Sequence, residues 1–85
     1  MRGEPLQILV VDDEPNMRKV LKAMLVQDGF EVHDAMDGEA ALAVLAENHI
    51  DIVISDLKMP KIDGMELLRR VNAAHDIPVI MITAH

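Results

Sequence analysis

Apolar residues along this chain come in two alternating rhythms. Gln7-Ile8-Leu9-Val10-Val11 is a continuous apolar run that stops at Asp12-Asp13-Glu14. A run of that kind suits a strand covered on both faces, as in a parallel sheet. Pro15 fits the first turn of a helix, where its missing N–H is no loss. Met17, Val20, Leu21, Met24 and Leu25 follow at i, i+3, i+4, i+7 and i+8, one apolar stripe opposite Arg18, Lys19, Lys22 and Gln27. Gly29 is a good terminator. Phe30-Glu31-Val32-His33-Asp34-Ala35 then alternates, which predicts an edge strand with one wet face.

The second half repeats the alternation. Asp37-Gly38 opens a helix from about Glu39 to Asn48, with Ala41, Leu42 and Leu45 facing inward. Ile52-Val53-Ile54 is a short β-branched strand ending at Asp56, followed by a turn-rich segment with Pro60 and Gly64. Met65 to Ala74 makes a third helix with Leu67, Leu68, Val71 and Ala74 on its apolar side. Val79-Ile80-Met81-Ile82 predicts a fourth buried strand ending at Thr83. The order β-α-β-α-β-α-β with short joints implies right-handed crossovers and a parallel sheet, an α/β fold.

Composition narrows the class. The chain has 85 residues, 51% of them hydrophobic and 27% charged, which fits one small globular domain. The longest apolar run, Ala40 to Ala46, is too short to cross a bilayer, so no membrane role is expected. No basic-then-apolar leader is evident, and the absence of cysteine makes a reducing cytoplasm the default. A net charge of −7 argues against broad contact of this segment with nucleic-acid phosphates. Phe30 is the single aromatic beside seven methionines, so the core must be aliphatic, with Met as filler. Four histidines show no metal-ligand spacing. There is no phosphate-binding Gly-x-x-x-x-Gly-Lys loop.

The topology gathers chemistry at one edge. In a parallel sheet all carboxyl ends lie together, so Asp12 and Asp13, Asp56 and Thr83 converge there. A lone Asp after a strand is as well explained by a turn. The acid pair after strand one changes that balance. Three carboxylates in a small pocket repel one another, and a hard divalent cation such as Mg²⁺ removes the conflict. A carboxylate is also a competent nucleophile toward phosphorus, and a hydroxyl such as Thr83 can donate to a phosphoryl oxygen. Asp63 is expected to cap helix three, with Gly64 supplying backbone freedom. Lys19, Lys22, Arg69 and Arg70 read as solvated helix faces, and so do Met17 and Arg18, whose alternative is a docking face beside the acid pair.

In order along the chain, Val10-Val11-Asp12-Asp13-Glu14, Asp56-Leu57-Lys58-Met59-Pro60 with Asp63-Gly64, and Thr83-Ala84 resemble the receiver domains of two-component response regulators, from about Ile8 to His85. The resemblance implies a flavodoxin-like fold with strand order 2-1-3-4-(5). It implies a cytoplasmic signalling domain rather than an enzyme, with Asp56 as phosphoacceptor for a sensor histidine kinase. Mg²⁺ would be held by Asp13 directly, by Asp12 largely through water, and by Asp56 and the Lys58 backbone carbonyl. Thr83 would bind the phosphoryl group and start the switch. Lys58 and His85 would tune how long the phosphoryl group survives.

The family's conserved lysine, fourth helix, fifth strand and fifth helix are not found in these residues, so residues 1–85 read as an incomplete receiver domain, truncated after strand four. Apolar surface left open by the missing elements would make the chain marginally stable or self-associating, a route to a homodimer. The wording around Asp56 and Thr83 looks most like receivers of the nitrogen-regulation type, which precede an AAA+ ATPase and a DNA-binding domain in sigma-54-dependent activators of transcription. The alternatives are a pseudo-receiver that is never phosphorylated and a haloacid dehalogenase-type phosphohydrolase. The latter class places Asp-x-Asp directly after strand one, whereas this chain has Asp12-Asp13-Glu14.

Overall fold

The computed structural model describes residues 4–59 and 61–82. Four strands alternate with three helices: β1 (Gln7–Val11), α1 (Pro15–Gln27), β2 (Glu31–Ala35), α2 (Gly38–Glu47), β3 (Ile52–Asp56), α3 (Gly64–Ala74) and β4 (Val79–Ile82). The sheet is parallel throughout, in the order β2-β1-β3-β4. That is the expected flavodoxin-like order as far as strand four.

Each helix starts where its sequence supplies an acceptor. The side chains of Glu14, Asp37 and Asp63 accept hydrogen bonds from the amides of Asn16, Ala40 and Glu66 respectively, satisfying N–H groups that the helix cannot pair itself. Pro15 stands in the first turn of α1. Helix α1 ends at Gln27 and is capped by Asp28, and Gly29 just beyond turns the chain away with a φ of 98°, a left-handed conformation that a side chain disfavours.

The two sheet faces are covered unequally. Leu9, Val11 and Val53 are buried on one face beneath Ala41 and Leu45 of α2 and Leu67 and Val71 of α3, with Ile50, Met59 and Ile62 closing the cluster. Truncating Leu67, which is fully buried, to Ala would cost about 2–5 kcal/mol. The other face carries α1. One in-register row there runs Asp34–Val10–Ile54–Ile80. Exposure rises along it from 0% at Val10, through half-buried Ile54, to 49% at Ile80.

Strand β4 is therefore half-buried and lies at the sheet edge, not fully buried as its apolar run predicts: an apolar run shows what a strand can bury, not what is there to cover it. The α1 stripe is likewise only partly covered. Met17, Leu21 and Leu25 are half-buried, whereas Val20 and Met24 are 54% and 58% exposed. Ala74, read as apolar and inward, is also exposed, at the last residue of α3.

Candidate phosphoacceptor site

Backbone hydrogen bonding carries the acid pair to the carboxyl edge of the sheet. The Asp12 amide donates to the Ala35 carbonyl (3.1 Å), extending the β1–β2 ladder by one bond. Its carboxylate Oδ1 accepts from the Glu14 amide at 2.9 Å, closing a tight turn before α1. On the neighbouring strand, Asp56 ends β3 at 6% exposure, and the next amide, Leu57, donates to the Ile82 carbonyl at 3.0 Å. Asp56 Oδ1 lies 3.3 Å from the Lys58 amide, which donates to it.

One carboxylate oxygen from each of Asp12, Asp13 and Asp56 falls within 4.8 Å of the others, the single such group among the described residues. Asp13 is exposed; the other two are buried. Asp12 Oδ2 is buried with no hydrogen-bond partner. Burial raises the Asp12 carboxyl above its ordinary range. The charges of Asp56, Asp13 and Glu14 push in the same direction, and the Glu14 amide opposes them. A buried orphan acceptor among like charges suits a hard cation taking oxygen ligands, and the all-carboxylate donor set fits Mg²⁺.

The loop from Leu57 to Gly64 is held from two sides. A Cβ built on Gly38 would stand 2.7 Å from the Ile62 side chain, so the start of α2 fits directly against this loop. Gly64 donates its amide to the Leu57 carbonyl at 2.9 Å. Gly64 was expected to supply backbone freedom, but its φ is not positive, and its role is to leave space. The left-handed residue of this loop is Lys61, with φ 66°, which its sequence context did not signal.

Asp12, Asp13 and Asp56 converge as the sequence predicts, and Lys58 is exposed beside them. Thr83 and His85 lie outside the described residues, as does Pro60. Arg18 was read as solvated surface or a docking position. Its side chain is instead 20% exposed and bonded to the Asp12 carbonyl and to Asp34. Charge and helical spacing cannot distinguish a solvated arginine from one folded back over the strand ends.

A parallel sheet of this order, with an acid pair after β1 and an Asp at the end of β3, defines a class of α/β domain whose carboxyl edge carries a candidate cation site. The family model for the response regulator receiver domain matches residues 8–85, and the chain belongs to that family.

Among curated relatives, it is 43% identical over 77 residues to the probable transcriptional regulator ycf27 of Cyanidium caldarium, covering 91% of this chain and 31% of that protein. It is 45% identical over 87 residues to protein-glutamate methylesterase/protein-glutamine glutaminase 2 of Koribacter versatilis (100% and 24% covered). It is 41% identical over 81 residues to the regulatory protein AtoC of Escherichia coli (93% and 17% covered). The chain thus spans a third or less of these relatives. Among solved structures, the response regulator TrrA of Thermotoga maritima, in complex with Mg(2+)-BeF, superposes with a TM-score of 0.87 at 41% identity, covering 94% of this chain and 70% of that one. TrrA is also known in complex with the histidine kinase ThkA.

Proposed function

We propose that this chain takes a phosphoryl group onto Asp56 from the phosphohistidine of a sensor histidine kinase, in a Mg²⁺-dependent reaction. The observation that carries this reading is the group of Asp12, Asp13 and Asp56 oxygens within 4.8 Å, with Asp12 Oδ2 buried and unpartnered. A carboxylate oxygen of Asp56 forms the new O–P bond as the N–P bond of the phosphohistidine breaks, and the imidazole nitrogen keeps the electron pair and takes up a proton. Asp13, Asp12, Asp56 and the Lys58 carbonyl would hold Mg²⁺. When bound, the ion offsets the charge of the transferring phosphoryl oxygens. The Lys58 amide, already donating to Asp56, orients the nucleophile. Thr83 binds the incoming phosphoryl oxygen and passes its arrival to the rest of the domain, and Lys58 and His85 set how long the acyl phosphate survives. The TrrA complexes with Mg(2+)-BeF and with a histidine kinase support both the cation and the donor.

The output is control of transcription, supported by likeness to ycf27 and AtoC. Within that reading, a nitrogen-regulation-type activator with an AAA+ ATPase and a DNA-binding domain rests on the residues around Asp56 and Thr83 and on the AtoC match. The similarity to a methylesterase marks the competing output.

Intact mass after incubation with acetyl phosphate, with and without Mg²⁺, on wild type and Asp56→Asn, tests the chemistry. A Mg²⁺-dependent gain of about 80 Da, absent in the variant, is the expected result. No adduct under any condition would turn the reading to a pseudo-receiver.

A further inference from the structure

Asp12 has nearly every polar atom committed. Its N–H donates to Ala35 O, its Oδ1 accepts from the Glu14 amide, and its carbonyl accepts from Arg18 Nη1 at 2.8 Å; only Oδ2 is left without a partner. The bond from Arg18 is made from the first turns of α1 back over the loop that precedes it. Arg18 is itself held, because its Nε donates to Asp34 Oδ2 at 3.3 Å. Asp34 stands opposite Val10 on β2, and its other oxygen lies 3.7 Å from Lys22 Nζ. The guanidinium is planar, so two donors pinned to β2 and to the Asp12 carbonyl fix its orientation. A fixed Asp12 carbonyl in turn fixes the plane of the Asp12–Asp13 peptide, and with it the position of the Asp13 Cα from which that side chain departs.

We propose that Arg18, anchored by Asp34, is a positioning residue that holds the Asp12–Asp13 loop in the conformation that binds a divalent cation. This rests on the cation reading of the acid group. Groups that orient metal ligands from outside the coordination shell typically govern affinity by tenfold or more.

The sign of the effect separates positioning from simple charge. Arg18 carries the same charge sign as Mg²⁺, so if it acted only through its field, its removal would tighten binding. Positioning demands the opposite.

The test is Mg²⁺ titration followed by calorimetry on the 85-residue chain, comparing wild type with Arg18→Ala, Arg18→Lys and Lys22→Ala, alongside hydrogen exchange of the Glu14 amide in metal-free protein. Arg18→Ala is expected to bind Mg²⁺ about tenfold more weakly, with faster exchange at Glu14. Arg18→Lys, with a single ammonium unable to serve both partners, should fall between. Lys22→Ala should bind as tightly as wild type or more tightly. If Arg18→Ala does not fold, weakened binding in Arg18→Lys still supports the proposal, and unchanged binding there overturns it. Unchanged or tighter binding in a folded Arg18→Ala overturns it whatever the exchange shows. A wild-type chain that binds no Mg²⁺ overturns the cation reading, and this inference with it. A wild-type chain that binds Mg²⁺ while Arg18→Ala is indifferent overturns this inference alone.

Discussion

Gly64 and Asp56 approach each other so closely that a Cβ at position 64 would stand 2.6 Å from the Asp56 carbonyl oxygen and 2.9 Å from the Leu57 Cα. Both obstacles are backbone, which cannot swing aside as a side-chain tip can. Gly64→Ala must therefore push α3 away from the end of β3. The expected cost is about 1–3 kcal/mol in denaturant unfolding, with slower phosphorylation from acetyl phosphate because the displaced atoms belong to the acceptor. A variant as stable and as reactive as wild type would contradict the close fit.

Asp12 is expected to oppose folding when ionised without metal. Its folded pKa lies above the ordinary 3.8, so the stability linked to it is present below that value and is lost as pH rises through the folded value. Asp12→Asn should therefore stabilise the metal-free chain at pH 7. It should also flatten this part of the pH profile, and weaken Mg²⁺ binding in the same protein. Thermal unfolding with EDTA, and then with Mg²⁺, separates the two effects.

Asp51 has the opposite sign. The Gln7 amide, donating to Asp51 Oδ2 at 2.8 Å, holds its carboxyl below the ordinary 3.8, with a further lowering from His49 and a smaller-than-Gln7 opposition from burial. Its stabilisation is present above 3.8 and fades as pH falls through the lower folded value. Unfolding of Asp51→Asn should accordingly show a shallower decline than wild type on the acid side.

Val20, Met24 and Ile80 leave apolar area uncovered on the α1 side of the molecule. The chain is expected to self-associate through it, and the paired change Met24→Gln and Ile80→Thr to shift sedimentation toward monomer. A wild-type chain that sediments as a monomer and melts cooperatively would contradict this.

Lys58 and His85 are expected to govern how long phosphorylated Asp56 survives. Replacing both with Ala should change the dephosphorylation rate severalfold, read from the decay of the mass adduct. An unaltered rate removes them from that role.

The element order and the acid group were legible because both follow from strong local signals. Unbroken apolar runs end at carboxylates, and parallel pairing brings those ends to one edge. What stayed hidden depended on distance rather than on type. Nothing in the α1 stripe distinguishes half-buried Leu21 from exposed Val20, since exposure is decided by what packs above the helix. Arg18 sits among lysines of the same helix, yet it alone is placed to reach Asp12. Ile62 and Gly38 are remote in sequence and uninformative singly, and only their contact shows that α2 braces the acceptor loop.

Asp56 stands between two kinds of support. On one side is β1, paired on both edges and buried from Ile8 to Val11; on the other is β4, an edge strand whose Ile82 carbonyl holds the residue next to Asp56. Local opening is cheapest at such an edge and dearest at the centre of the sheet. The acid pair should thus keep its place until the whole molecule melts, while the acceptor can loosen earlier, when β4 alone frays. Capacity to accept a phosphoryl group would then vanish at a lower temperature than the helical signal does, and a molecule that clasps β4 would restore it without touching a single carboxylate.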